Sequence, residues 1–210
     1  MKSIYTLAAA IAAVILLQPA KANAQDRFID NTFVSAGVGA NVTILHPLNP
    51  KTWGDMGFAT DITIGKWFSP RFGARLGVHG GWNKCKQDLT AQDIPAGTPY
   101  GFSYIHADFL YSISKDILGM NEDRIWDAAI YVNGGAAKVS KSRTVFAKGQ
   151  YTWAFGVGML NEFKVCKEAS ITLDLMAIAT NPSVFTKGGG RAVVFPTATV
   201  GVSFNLGEIF

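Results

Sequence analysis

Phe72-Gly73-Ala74-Arg75-Leu76-Gly77-Val78-His79-Gly80-Gly81-Trp82 decides the fold class. Phe72, Ala74, Leu76, Val78, Gly80 and Trp82 form one alternating set, and Gly73, Arg75, Gly77, His79 and Gly81 form the other. A period of two sends successive side chains to opposite faces, so the segment reads as a strand with one apolar face and one polar or small face. The rhythm recurs on both sides. Val34, Ala36, Val38, Ala40 and Val42 alternate with Ser35, Gly37, Gly39 and Asn41. Ile171, Leu173, Leu175 and Ala177 alternate with Thr172, Asp174, Met176 and Ile178. Ala198, Val200, Val202, Phe204 and Leu206 alternate with Thr199, Gly201, Ser203 and Asn205.

Eight such segments are predicted, at about 32–45, 56–68, 71–83, 100–114, 126–139, 150–165, 168–180 and 192–206. Most exceed the usual soluble strand of about five or six residues, and each reaches the roughly 9–11 residues that cross a bilayer when tilted. An even number brings both ends of the chain to one side. Ser69-Pro70-Arg71 and Cys166-Lys167-Glu168 read as tight turns. The stretches around His46–Gly54, Lys84–Pro99, 140–149 and Asn181–Arg191 read as longer loops. Long loops on one rim and short turns on the other are the signature of an outer-membrane barrel. Lys115–Ile125 is longer than a minimal turn and departs from that rule. The fold class expected is all-β, an eight-stranded antiparallel up-and-down transmembrane β-barrel.

Composition agrees. The chain has 210 residues, a formal charge of +4 and only 16% charged residues, with 22 glycines and 12% aromatics. So much apolar and aromatic content excludes a disordered chain, and two cysteines cannot staple a domain of this length. The small positive excess is spread along the chain, which argues against nucleic-acid binding. Residues 1–24 read as a secretory signal peptide. Lys2 is followed by an apolar stretch from Ile4 to Leu17, then by Pro19 and the Ala22-Asn23-Ala24 cleavage pattern. The mature barrel is expected over 25–210.

The polar faces of the strands are poor in Lys and Glu and rich in Gly, Ser, Thr and Asn, which suits the crowded inside of a small barrel. The apolar faces then meet lipid. Aromatics near strand ends suit two interfacial girdles: Trp53, Phe58, Trp67, Phe68, Phe72, Trp82, Tyr100, Phe102, Tyr111, Trp126, Tyr151, Trp153 and Phe204. By alternation Asp61, Arg75, His79, His106, Asp108, Glu162 and Asp174 point inward and form a barrel-interior polar network. Charges in a narrow lumen must pair, and Asp61 or Asp108 is the expected partner of Arg75. The network serves as a plug or lines a narrow conduction path.

Gly65-Lys66-Trp67-Phe68-Ser69-Pro70-Arg71-Phe72-Gly73-Ala74-Arg75-Leu76 resembles the second-to-third strand turn of Bacteroidetes outer-membrane barrels. His106-Ala107-Asp108-Phe109-Leu110, the run Gly119–Trp126 and Val200-Gly201-Val202-Ser203-Phe204 extend the likeness over most of the mature chain. The resemblance implies an OmpA/OmpX-like eight-stranded barrel. The peptidoglycan-binding domain of OmpA proper is not expected, so OmpX-like barrels are the nearer comparison. Such barrels commonly close with an aromatic that the assembly machinery reads, a role open to Phe204 or Phe210.

No catalytic, cofactor or metal site is expected. His79, His106 and Asp108 sit close enough in the pattern to orient a base, but filling of the lumen accounts for them as well, and no lipid-facing Ser/His pair suggests a lipid A enzyme. Asp88 and Asp93 lack the dense oxygen spacing of a hard-cation loop. Gly37-Val38-Gly39 and Gly156-Val157-Gly158 stop short of a nucleotide loop. Cys85 and Cys166 fall on opposite rims, too far apart for a disulfide. The function expected is that of a structural or surface-interaction outer-membrane protein of a Gram-negative bacterium, monomeric, in contact with outer-membrane lipids and the barrel-assembly machinery. Loops 84–99, 140–149 and 181–191 are the places for an extracellular ligand. A narrow small-solute channel and a soluble lipocalin-like periplasmic carrier are the alternatives.

Overall fold

The computed structural model describes residues 30–45, 53–119, 124–141, 149–187 and 192–209. The expected leader at 1–24, His46, the glycines at 188–190 and Phe210 lie outside these residues.

Eight strands follow one another: β1 (Thr32–Ile44), β2 (Trp53–Trp67), β3 (Phe72–Lys84), β4 (Pro99–Ser112), β5 (Trp126–Ser140), β6 (Gly149–Lys164), β7 (Ala169–Thr180) and β8 (Val193–Asn205). Each pairs antiparallel with its neighbours in sequence, and β1 pairs with β8 from Phe33 opposite Asn205 to Ile44 opposite Val194, which closes the barrel. Closure leaves no unpaired edge, and in hydrocarbon every backbone polar group must be satisfied within the protein. The strand bounds follow the sequence pattern closely because the alternation runs through most of each strand, interrupted by register shifts at Val42–Ile44 in β1 and Asp55–Phe58 in β2.

The faces divide as a membrane requires. Val38, Ile62, Val78, Ile105, Phe109, Val132, Phe155, Val157 and Val200 are exposed on the outer wall, while Asp61, Arg75, His79, His106 and Asp108 are buried inside. A soluble barrel would show the reverse. No helix among the described residues is long and apolar enough to cross a membrane; the strands do the crossing.

Tight turns join β2 to β3 and β6 to β7. In the first, the amide of Phe68 donates to the Phe72 carbonyl at 2.9 Å, and the amide of Phe72 donates to Ser69 Oγ at 3.0 Å. The longer Lys115–Ile125 connection has a structural reason. It begins with a short helix, α1 (Ile113–Ile117), whose N-cap is Ser112. Five residues are too few to show a helical period in the sequence. Gly119 takes φ +77° after it, and the Arg124 guanidinium donates to the carbonyls of Leu118 and Gly119 at 3.1 and 2.7 Å. A second short helix, α2 (Leu206–Ile209), follows β8. The tight turns and α1 lie at one rim, here the turn rim. The other connections lie at the opposite, loop rim. Cys166 is exposed in the β6–β7 turn and Cys85 is buried at the loop rim, with no disulfide between them.

Candidate functional site

The lumen of an eight-stranded barrel is just wide enough to be filled by side chains, and here it is filled in two layers. The layer towards the turn rim is ionic. Arg75 on β3 is bonded through Nε to Asp108 on β4, its register partner. Through Nη2 it donates to Asp174 Oδ2 on β7 at 2.7 Å. Strands β3 and β7 stand opposite each other in the ring, so this ion pair spans the lumen. Tyr131 on β5 donates to the other Asp174 oxygen at 2.5 Å, and its ring lies 4.5 Å from the Arg75 guanidinium carbon. His106 Nδ1 is 2.6 Å from Asp108 Oδ1, and its Nε2 is 3.5 Å from Asp61 Oδ1. His79 Nδ1 lies 3.8 Å from the same Asp61 oxygen.

Two glycines make this packing possible. A Cβ at Gly77 would stand 2.5 Å from the His106 ring, and one at Gly158 would stand 2.3 Å from the Tyr131 hydroxyl. Small residues on the inward face therefore let large polar rings lie flat against the opposing backbone.

Of the seven residues expected in the interior network, Asp61, Arg75, His79, His106, Asp108 and Asp174 meet in this cluster. Glu162 is half-buried and stands beside Asp127 in the β5–β6 register. Arg75 pairs with Asp108, one of its two expected partners. The other, Asp61, faces the two histidines instead, and the second carboxylate on Arg75 is Asp174.

The layer towards the loop rim is mainly aromatic and aliphatic, with Asn41, Thr43, Asn83 and Thr180 buried among its side chains. Phe102 on β4 and Phe195 on β8 stack at 4.2 Å between ring centroids, and these strands too are opposite in the ring. Tyr100, Tyr104, Ala137, Val139, Ala154, Ile178 and Val193 fill the space around them. The placement of Tyr100 and Phe102 in an interfacial girdle is thus corrected: both are fully buried in the lumen. Their distance from the strand end suggested a girdle, but they share the even-numbered face of β4 with His106 and Asp108, and that parity decides. Trp67 also leaves the girdle, since it packs against the interior cluster from the odd-numbered, inward face of β2; Trp53, Phe58, Phe68, Phe72, Trp126, Tyr151, Trp153 and Phe204 are exposed on the outer wall.

Above this layer two loops pack over the mouth. Leu89 and Ile94 of the β3–β4 loop and Val184 and Phe185 of the β7–β8 loop are buried in the same cluster. The two loops are tied together. The amide of Ala91 donates to the Phe185 carbonyl at 3.2 Å and the amide of Lys187 to Thr90 Oγ1 at 3.0 Å. Gln92 Nε2 donates to the Val184 carbonyl at 3.2 Å, and Lys187 Nζ pairs with Asp93 at 3.1 Å. That hydrogen bond holds the exposed Asp93 carboxyl below its ordinary value. The sequence reading missed this lid. Its signal was present: Leu89, Ile94, Val184 and Phe185 are apolar residues inside otherwise polar loops.

No family model matches the chain. Outer membrane protein 40 of Porphyromonas gingivalis is 23% identical over 198 residues, 88% of this chain and 49% of the relative. The chain thus spans about half the length of that relative. Among solved structures, Neisserial surface protein A superposes with a TM-score of 0.55 at 11% identity, over 84% of this chain and 97% of that one. The N-terminal β-barrel domain of Pseudomonas aeruginosa OprF gives 0.45 at 9% identity, over 83% and 97%. The fold is that of an outer-membrane eight-stranded barrel. With an apolar outer wall and a filled polar and aromatic lumen, the chain resides in the outer membrane of a Gram-negative bacterium.

Proposed function

We propose that the protein is a sealed, non-conducting stave of the outer membrane that presents its loop rim to the outside for structural and surface interactions. The observation that carries this reading is the closed mouth. Phe185 packs against Phe195 of the Phe102–Phe195 stack that crosses the lumen, and Leu89, also fully buried, belongs to the same cluster. A water-filled path needs a continuous polar lining, and this layer interrupts it. The ionic cluster beneath it is filling that ties opposite walls together, and His79, His106 and Asp108 serve that packing, with no catalytic role.

In this reading residues 1–24 direct export and are removed, the assembly machinery inserts the barrel, and it stands as a monomer among outer-membrane lipids with the turn rim in the periplasm. An extracellular ligand would meet the loops at 84–99, 140–149 and 181–191, the first and last of which supply the lid residues Leu89, Ile94, Val184 and Phe185. Long loops outside and short turns inside is the usual arrangement.

The test is conductance of the refolded protein in a planar bilayer. The wild type is expected to show no discrete current steps. Replacing Phe185 with Ala and Gln92 with Ala together should loosen the lid. Steady steps from the wild type would overturn the sealed reading and make the narrow channel the leading function.

A further inference from the structure

Two carboxamides on the inner wall are buried and make no hydrogen bond. Asn41 on β1 and Asn83 on β3 are each 1% exposed, and both polar atoms of each are unpartnered. They flank β2 where its pairing slips: the register shifts between Val42 and Ile44 of β1 and between Asp55 and Phe58 of β2. Gly57 lies in the second of these slips, opposite Asn41, and Gly81 is the inward residue below Asn83 on β3. A Cβ at Gly57 would collide with Oδ1 of both asparagines. One at Gly81 would stand 2.5 Å from Asn41 Nδ2 and 3.2 Å from Asn83 Nδ2. The two side chains therefore lie side by side, with their oxygens together at one glycine and their nitrogens together at the other. His79, the next inward residue below Gly81, is fully buried, and both its ring nitrogens are unpartnered as well. Gly57 and Asn83 also border a cleft of about 210 Å³ in the wall, beside Phe58, Trp82 and Pro99.

A buried amide left unbonded is costly, and four such groups in one place call for a ligand. The pattern sets its chemistry. Two oxygens side by side need a pair of donors, and two NH2 groups side by side need a pair of acceptors. The carboxamides carry no charge, whereas a hard cation takes roughly six to eight oxygens, carboxylates among them. Among the described residues no group of three His, Cys, Asp or Glu could hold a metal ion. Water answers both halves of the pattern, since it donates two hydrogen bonds and accepts two. Buried waters make about three bonds each to groups otherwise unsatisfied. We propose that Asn41 and Asn83 hold a pair of ordered waters, which enter from the wall cleft where β2 slips against β3. One donates to both carboxamide oxygens beside Gly57, and the other accepts from both nitrogens beside Gly81. Two fixed waters complete the hydrogen bonding of the loop-rim layer without forming a continuous path. The site is independent of which rim faces outwards.

The test is water contact by nuclear magnetic resonance on the refolded protein in nanodiscs, with isotope-labelled asparagine. The side-chain amide protons of Asn41 and Asn83 should show rotating-frame cross-peaks to water of dipolar sign, which a resident molecule gives, and not of exchange sign. Asn133 is the internal control. Its Nδ2 lies 3.3 Å from Met176 Sδ and its Oδ1 accepts from the Tyr104 hydroxyl at 2.8 Å, so it should show none. In N83L the water peak at Asn41 should be lost, because the bridge loses one of its two holders. Electrophoretic mobility before and after heating checks that the variant has folded. Absence of a dipolar water peak at either asparagine of the wild type overturns the proposal, whether the carboxamides are dry or bonded to each other. So does an Asn41 peak unchanged in folded N83L, which would mean water held by Asn41 alone. If N83L does not fold, the wild-type spectrum and its Asn133 control still decide.

Discussion

Replacing Arg75 with Met removes the one side chain that ties β3 to β4 and to β7 across the lumen. The guanidinium is buried, as is Asp108, and Asp174 is nearly so. Arg75 holds both carboxylates while its plane packs on Tyr131. Met fills similar volume but leaves two carboxylates without their cation, and Asp61 already stands close by. Breaking a buried ion pair by removing one partner costs about 3–5 kcal/mol, and a desolvated cation–π contact is worth about 2 kcal/mol. These contributions share one side chain and do not simply add. A loss of about 4 kcal/mol is therefore expected for R75M. The assay is urea unfolding of the refolded protein in lipid vesicles, followed by tryptophan emission, with electrophoretic mobility before and after heating as a second probe of closure. The triple variant R75M/D108N/D174N separates lost charge balance from lost packing. It removes the unpaired charges and should recover more than half of the deficit. An R75M protein within about 1 kcal/mol of wild type, or a triple variant no better than R75M, would refute the reasoning that this cluster is held by ion pairing.

Three further outcomes are expected. Ile62 is 62% exposed near the middle of β2, so I62K places a charge in hydrocarbon and should cost about 2–4 kcal/mol in the same unfolding assay; a loss of less than half of that would argue against a lipid-facing wall. Cys166 is exposed at the turn rim, so an impermeant maleimide should label it only after the outer membrane is permeabilised. Labelling on intact cells would invert the orientation. The Asp93 carboxyl is held below its ordinary value of 3.8 by Lys187. A depressed acid contributes its stabilisation above that ordinary value and loses it as the pH falls through the lower, folded value. Hydrogen exchange at the Ala91 and Lys187 amides should accordingly be faster in D93N than in wild type at neutral pH. The difference should vanish at a pH below the folded value, and a difference that persists in acid would exclude the ion pair as its source.

Much of this architecture was legible in the sequence because a barrel strand carries its own register of faces. The run from Phe72 to Trp82 places Arg75 and His79 inside without reference to any other strand. Arg75 and Asp108 are also direct cross-strand neighbours, so a hairpin argument can pair them. Asp174 is different. It lies 99 residues from Arg75 in sequence and reaches it only because the sheet closes, and closure offset is not written in any one strand. Tyr100 and Phe102 show how two correct rules can conflict. Aromatics do gather at strand ends, but parity within β4 governs which way these two face. Leu89, Ile94, Val184 and Phe185 were hidden for another reason: loop packing has no period, so only their apolar character in polar surroundings marks them.

The two layers of the lumen depend on each other. Phe102 against Phe195 and Arg75 against Asp174 each join strands opposite in the ring, one by apolar contact and one by charge. In the sealed reading proposed above, the aromatic layer and the lid keep bulk water from the loop rim, and a drier surround would strengthen the interactions of the ionic cluster below. Dryness would make an unpaired group there expensive, and most of the cluster is matched: Arg75 to two carboxylates, Asp174 also to Tyr131, Asp108 also to His106, while His79 is buried with no hydrogen-bond partner on either ring nitrogen. Loosening the lid should therefore be felt in the ionic layer, through admitted water, even at residues the lid does not touch. A barrel filled in this way gains a rigid cross-section at the expense of a pore, and what remains free to vary is the rim that faces outwards.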